Sequence, residues 1–493
     1  MVRKRLKLNL KKALVDHWLV LVFIFVFLLR LPSLFEPFTY GDEGIYLTLG
    51  QAVKKGLILY RDIHDNKPPM LYLLAALAGS FSNFRLILFI WSLATIFAFY
   101  KLSQLFFAKN KPAMIIATSA FALLISLHTF EGNIANAENF MLLPTIAAML
   151  LIIKKAKFKI YFLAGILFSI ATLFKVPASL DFAAAFFALF LILFRKKSPL
   201  FIIHHSFFMI LGFLTPILIT IFYFASQGAL SYYLKAAFFQ NIPYLSSWTT
   251  DRPQVGGLPL PLLTRGLLIL TLTLGLFIFR KKISSVIKLI LVWFAFSLFA
   301  ALLSARPYPH YLIQILPSLS LSFGLFFAKK KEKLIPLILA FIFLFAFLTF
   351  KFWYYPNLPY YLNFYQYALG FKDRNEYFTS FDPQALPIYQ TAHYLQTHTL
   401  PEEKIFIWGT RPSIYALANR LPVGRYTVSY HIIDFNGYQK TIEALTKNPP
   451  RYLIVSGDEK RPFPDLDNFI QTHYFPEIQI GPFQLFHRIF FQL

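Results

Sequence analysis

Pro68-Pro-Met-Leu-Tyr-Leu-Leu-Ala-Ala-Leu-Ala-Gly-Ser-Phe-Ser82 is apolar throughout, and whether it crosses a membrane decides how the rest of the chain is threaded. A membrane-spanning α-helix needs about 20 apolar residues, and this run is too short for that. Counting it as a span would also send later Lys/Arg clusters to alternating sides, against the positive-inside rule. Read instead as an interfacial or re-entrant segment, it leaves eleven apolar runs, near 14–34, 84–107, 112–130, 139–153, 158–176, 180–195, 201–225, 261–280, 283–304, 311–328 and 334–351. The basic clusters at 3–12, 109–111, 154–159, 195–197, 280–282 and 329–333 then all fall on one side. That side is the cytoplasm. The expectation is a multi-pass protein of the cytoplasmic membrane, its N-terminus cytoplasmic and its C-terminal domain extracytoplasmic. The run at 14–34 follows a basic start, but it is long for a signal peptide and ends in Pro32-Ser-Leu-Phe-Glu-Pro37 without a small-x-small cleavage site, so it reads as a retained first span.

Composition agrees: of 493 residues 57% are hydrophobic and only 14% charged, with 59 Phe. Soluble chains carry about a quarter charged residues. A net charge of +25 would suggest nucleic acid as a partner for a soluble protein. Here the cations sit between apolar runs and set topology, so no nucleic acid is expected and membrane lipids are. The chain has no cysteine, which excludes disulfides, thiolate metal sites and cysteine nucleophiles.

The acids are distributed unevenly. The first 331 residues hold only Asp16, Glu36, Asp42, Glu43, Asp62, Asp65, Glu131, Glu138, Asp181 and Asp251, and all but Asp16 fall on the expected outer face. The remaining 13 of the 23 acids lie beyond residue 331. There the pattern changes to short strands and helices: Lys404-Ile-Phe-Ile-Trp408 as a strand, a Gly409-Thr410 turn, a helix over 412–419 and Tyr452-Leu-Ile-Val455 as a second strand. The division expected is a transmembrane module over 1–352, whose first loop, 35–83, carries interfacial helices, and a small α/β domain over 353–493. It has no Walker or dinucleotide fingerprint.

Most of the chemistry-bearing side chains fall in the first loop, Tyr40-Gly-Asp-Glu-Gly-Ile-Tyr46 followed by Tyr60-Arg-Asp-Ile-His-Asp-Asn-Lys-Pro-Pro69. Ile45, Leu49, Ala52 and Val53 recur at helical spacing, which predicts an amphipathic helix lying on a membrane surface. Asp42 stands at its start, as an N-cap, as a proton acceptor, or as both. Glu43 suits the first turn of a helix on charge alone. Lys67 is stiffened by the two prolines that follow, and its ammonium suits either a phosphate or the interface.

Gly-Asp-Glu-Gly-Ile-Tyr followed by Asp-Asn-Lys-Pro-Pro, just after a first apolar helix, resembles the first extracytoplasmic loop of the GT-C fold glycosyltransferases that use polyprenyl-phosphate sugars, the protein mannosyltransferase and lipid A aminoarabinose transferase group. The resemblance covers about 14–352 and is strongest in this loop. It implies an inverting glycosyltransferase that moves a sugar from a polyprenyl-phosphate donor to a hydroxyl or amine of an extracytoplasmic glycan, lipid or protein. It implies Asp42 as acid/base, with Glu43 beside it. A second acid after the third span is common in the group. Asn133-Ile-Ala-Asn-Ala-Glu138 fits that place, with Glu138 where Asp is commoner. Such a transfer needs a base for the acceptor proton and cations for the departing phosphate. Cations on the outer side at headgroup depth are Arg61, Lys67, Lys175, Arg306 and His310. Lys175 ends an apolar run, where a charge is costly enough to mark function unless it snorkels to the interface. Arg306-Pro-Tyr-Pro-His310-Tyr311 resembles the group's late-loop pattern, and Tyr311 equally suits an aromatic belt.

Asp62, His64 and Asp65, with Glu43 or Glu138, are the candidate ligands of a divalent metal ion, at a spacing that matches no specific metal motif. Glu131, Asp181 and Asp251 read as solvated loop acids. The competing function is a polytopic transporter of lipid-linked or small substrates, which would place ionisable groups at mid-membrane and show paired repeats. This sequence keeps its acids at one face and shows no evident repeat.

Overall fold

The computed structural model describes residues 17–108, 110–153, 157–193, 198–240, 262–278, 283–304, 306–327 and 332–489. Asp16, Asp251 and most of the basic clusters lie outside them. The chain forms two compact units, each assembled from separated segments. One comprises 1–33, 88–218 and 242–357, and the other 34–87, 219–241 and 358–493.

Apolar helices occupy the expected positions. They are α1 (Trp18–Arg30, extended by a 3-10 turn to Leu34), then, after α2 (Gly41–Lys54) and α3 (Met70–Ala78), α4 (Phe81–Phe107), α5 (Lys111–Leu124), α6 (Ala137–Ile153), α7 (Phe158–Phe174), α8 (Ser179–Leu193) and α9 (Pro199–Ser226). A short α10 (Leu230–Leu234) follows, then α11 (Leu262–Ile278), α12 (Ser285–Ala301), α13 (Leu316–Phe323, inside the helical run Pro309–Phe327) and α14 (Leu334–Thr349). Among the described residues three of these stretches, Phe81–Phe107, Pro199–Ser226 and Pro309–Phe327, are long and apolar enough to cross a membrane, and eight more apolar helices are shorter. Within the apolar run 68–82, α3 covers nine residues and is closed by Gly79 in the left-handed region at φ 70°. At about 1.5 Å per residue it is roughly 14 Å long, under half of a hydrocarbon core of about 30 Å.

The first unit is held by an apolar core to which α4, α5, α6, α7, α8, α12 and α13 contribute, Trp293 and Phe121 among its fully buried side chains. Charged residues are built into it, Arg30 among them. Arg30, 1% exposed, donates to the carbonyls of Ile125 (2.6 Å) and Gly132 (2.8 Å) and to Ser126 Oγ (3.3 Å). A buried guanidinium survives only when its donors are satisfied, and here they pin the turn between α5 and α6.

In the second unit a four-stranded sheet, β1 (Phe406–Trp408), β2 (Tyr452–Ser456), β3 (Tyr474–Ile480) and β4 (Phe483–Arg488), runs in the order β1-β2-β4-β3, parallel between β1 and β2 and antiparallel elsewhere. Side chains alternate faces along a strand. Ile407, Tyr452 and Ile454 therefore join one core with α17 (Ala385–His398) and α18 (Ser413–Ala418), while Phe406, Trp408 and Leu453 join another with α20 (Tyr438–Lys447) and α21 (Pro464–His473). The remaining helices are α15 (Asn357–Ala368), α16 (Arg374–Thr379) and α19 (Ser429–Asp434).

The expected one-sided surface helix is a correction. In α2 every residue from Glu43 to Ala52 is buried. Two glycines explain it: a Cβ on Gly44 would meet Ser413 N at 2.6 Å, and one on Gly50 would meet Ala76 N at 2.5 Å. Backbone approaches that close need residues without side chains, so α2 is clasped between α18 and α3. Its polar residues face protein as well, with Gln51 Nε2 donating to Ala416 O at 3.0 Å and Thr48 Oγ1 to Gly44 O at 2.7 Å.

Candidate functional site

In the second unit the first-loop residues gather around the start of α2. Tyr40 is the N-cap position and makes no side-chain cap, so Asp42 sits inside the first turn and the N-cap reading does not hold for it. Its Oδ2 accepts from Tyr46 Oη one turn on (2.8 Å) and lies 3.6 Å from Lys67 Nζ. Lys67 also stands over the Tyr46 ring at 4.8 Å. Both side chains are partly open, 32% exposed for Asp42 and 22% for Lys67. An ion pair that long and that open contributes no more than about 1 kcal/mol, so either member can turn to a ligand at little cost.

The backbone under Lys67 is fixed more firmly than its prolines alone require. Its N–H donates to Tyr72 Oη (3.1 Å), and its carbonyl accepts from Tyr60 Oη (2.8 Å). Tyr72 in turn donates to Asp65 Oδ2 at 2.8 Å. Burial pushes both phenols well above their usual range, so they stay protonated as donors. Beside them His64 is 3% exposed, with neither ring nitrogen hydrogen-bonded. Burial, reinforced by nearby cationic groups, lowers its pKa to about 2. His431, 3.7 Å from Asp65, is lowered for the same first reason.

Glu43 and Arg61 are occupied elsewhere. Glu43 is fully buried and accepts from Arg85 Nη2 at 2.8 Å and Nε at 3.1 Å, while the same guanidinium reaches the carbonyls of Glu36 and Pro37. That is the setting of a structural ion pair. Arg61 grips Asp62 (2.7 Å) and the carbonyl of Gln227 (2.8 Å), and its hydrogen bond holds the Asp62 carboxyl below the usual range. With Asp62 turned to Arg61 and Asp65 to Tyr72, the acids flanking His64 do not converge on it. No group of three or more His, Asp or Glu placed to hold a metal occurs among the described residues.

In the first unit four separately nominated residues come together. Lys175, where α7 gives way to a 3-10 turn, is bonded to Glu138 in the first turn of α6 and lies 3.8 Å from the Tyr311 ring centroid. His310 Nδ1 bonds Glu131 Oε2 at 2.6 Å, and its Nε2 lies 3.6 Å from Glu138 Oε1. Glu131 also accepts from Asn136 Nδ2 (2.9 Å), and its backbone is held in the left-handed region, φ 55°. Burial, together with the charge of Glu131 and a hydrogen bond to it, keeps the Tyr355 phenol protonated. Arg306, exposed, stands four residues before His310.

Two acids read as solvated are the opposite, and both are 1% exposed. Glu131 is the hub just described. Asp181, in α8, accepts from Trp293 Nε1 (2.8 Å), Ser297 Oγ (3.1 Å) and Gln314 Nε2 (2.8 Å). Asp251 lies outside the described residues. Sequence reading also passed over Arg85, although a cation in the second turn of a long apolar helix is a signal that it has a partner.

No family model matches the chain, and no curated protein matches it. Among solved structures the chain is similar to ArnT from Cupriavidus metallidurans bound to undecaprenyl phosphate, with a TM-score of 0.57 and 11% identity over 96% of this chain and 98% of that one. It is similar to the same protein in the apo state, with a TM-score of 0.57 and 12% identity over the same shares. At such identity the likeness is one of fold: the chain has the GT-C fold, and together with its apolar helices this makes it a membrane protein.

Proposed function

We propose that the chain is an inverting membrane glycosyltransferase that takes a sugar from a polyprenyl-phosphate donor, with Asp42 as the base. The observation that carries the reading is the Asp42–Tyr46–Lys67 arrangement: a carboxylate and an ammonium, both partly open, on a backbone locked by Tyr60 and Tyr72. The GT-C fold supports it, since a solved structure with that fold holds undecaprenyl phosphate. In the transfer the acceptor oxygen forms a bond to the anomeric carbon. The bond from that carbon to the phosphate oxygen breaks, its electron pair leaves on the polyprenyl phosphate, and the acceptor proton passes to Asp42. Cations favour the departing phosphate because charge collects on it. Lys67 keeps that role in the proposal; Lys175, Arg306 and His310, in the first unit, are proposed separately as phosphate-binding cations, with Glu138 and Tyr311 holding Lys175. Glu43 is a positioning residue, and Arg61 is assigned to Asp62. The eleven apolar helices are proposed as spans that leave the N-terminus cytoplasmic and 353–493 outside.

The test is turnover of polyprenyl-phosphate sugars drawn from the native membrane by the purified full chain in vesicles. Asp42→Asn should lower turnover by at least about 100-fold, the usual contribution of a general base, and leave thermal stability unchanged. Retained turnover removes Asp42 from the base role.

A further inference from the structure

Among the described residues, nothing covers one apolar side of helix α15. Leu358, Leu362, Tyr365 and Leu369 recur at i, i+4, i+7 and i+11 and share one face of a helix with about 3.6 residues per turn, Tyr365 in its last turn and Leu369 just beyond its end. Together with Phe371 they are 46–78% exposed. The opposite side is fixed: Tyr360 and Phe364 are buried, Tyr360 Oη bonds the Glu36 carboxylate, and Asn363 Nδ2 donates to Tyr377 O at 3.2 Å. A water-exposed helix would carry charged and polar residues on its outer face. This one carries three leucines, a tyrosine and a phenylalanine.

What covers that face is indicated by what the inner side grips. Glu36 comes two residues after the apolar helical run Trp18–Leu34 ends, and Phe35 between them, 47% exposed, packs its ring 5.6 Å from that of Phe364. So α15 is fastened to the segment that directly follows the first apolar helix along the chain. Along the chain α15 also follows shortly after the last apolar helix, Leu334–Thr349, by way of the exposed aromatics Trp353 and Tyr354. Trp and Tyr of that kind concentrate at headgroup depth.

We infer that α15 is an interfacial helix whose Leu358, Leu362, Tyr365, Leu369 and Phe371 enter the boundary between headgroups and acyl chains of the leaflet where the first apolar helix ends. The helix would thereby anchor the second unit to lipid along its side, not only through its chain connections. The expected depth is about 5–10 Å. The inference stands apart from the reaction and needs only that the chain is a membrane protein.

The chain has no cysteine, so single cysteines can be introduced into it without background. Nitroxides at Leu362→Cys, Tyr365→Cys and Leu369→Cys, with Glu376→Cys as the control, would be read in the full chain in phosphatidylcholine–phosphatidylglycerol vesicles. Collision with oxygen should exceed collision with a water-soluble nickel chelate at the first three positions, and the order should reverse at 376. Labels at 362, 365 and 369 that favour the nickel chelate would overturn the inference. So would labels shielded from both probes with spectra broadened in proportion to protein density, since a second copy of the chain would then be the occupant. These side chains are exposed, so the substitutions leave the packed side of α15 untouched, and correctly folded variants are identified by an unchanged elution volume.

Discussion

Replacing Arg85 with Met separates two views of Glu43, reacting group and buried support. The two side chains are 2% and 0% exposed and 2.8 Å apart. At an effective dielectric of about 20 their attraction is about 6 kcal/mol. Taking both ions out of water costs several kcal/mol each, so the intact pair contributes little net stability. Breaking it is another matter, because Glu43 would then be a buried carboxylate without its guanidinium. Arg85→Met should therefore destabilise the chain by about 3–5 kcal/mol, a large share of the 5–15 kcal/mol typical of a folded domain. Glu43→Gln should fall in the same range, with Arg85 as the stranded charge. Combining the two removes both charges, and the double variant should lie within about 1–2 kcal/mol of the parent. Denaturant titration in mild detergent gives the four stabilities, and the pair coupling follows from the cycle. Turnover by the double variant then tests chemistry at restored stability. Additive single effects, or an Arg85→Met cost below about 1 kcal/mol, would refute the buried-pair account; a stable double variant without turnover would return Glu43 to the chemistry.

Two further outcomes follow from burial in the second unit. Gly44→Ala should destabilise by about 1–2 kcal/mol, because overpacking against the Ser413 backbone outweighs the helix preference of Ala; Gly41→Ala, with nothing within 4 Å of its Cβ, should be neutral or stabilising in the same titration. For His64 the folded pKa of about 2 lies below the unfolded value of 6.5, so below pH 6.5 the unfolded chain takes up a proton that the folded one refuses. Stability should fall with decreasing pH by up to about 1.4 kcal/mol per unit from this group alone, with no contribution above 6.5, and His64→Phe should flatten the slope between about pH 6.5 and 4.5. An unchanged slope would show that His64 is not the group responsible.

The apolar helices were legible because their signal is local: a long uncharged run needs no partner to be recognised. The same holds for α3, whose shortness, with the basic clusters that follow it, is the ground for not reading it as a span, and for the strand at 406–408, bounded by its turn. Asp42 and Lys67 could be nominated together because one loop holds both. Glu131 and Asp181 could not be read, since what defines them is remote in sequence. Glu131 meets His310 from 179 residues away, and Asp181 meets Trp293, Ser297 and Gln314 from 112, 116 and 133 residues away. The reading of α2 failed for a related reason. Its Thr48 and Gln51 fit a wet face as well as they fit a protein one, and only the approach of Ser413 and Ala76 to its glycines decides between them.

That decision changes how a role of the C-terminal region in choosing the acceptor, which its expected extracytoplasmic side suggests, can be tested. Removing 370–493 is the direct experiment on the sequence alone, but within the second unit those residues hold the first loop in place. Gln51 bonds Ala416 O (3.0 Å), Lys55 bonds Asn419 O (3.1 Å), and the His64 N–H donates to Arg425 O (2.8 Å). Arg425 returns a bond to Tyr60 O, and Tyr60 is one of the two phenols that fix the backbone of Lys67. A truncated chain would thus lose activity through a displaced Lys67 and an uncovered α2, whatever the region does for acceptors. Substitutions on exposed residues of the sheet's outer strand, such as Phe475 and Ile478 of β3, leave that support intact. A change in acceptor preference at constant donor turnover in those variants would speak for selection by this region, and its absence there would speak against it.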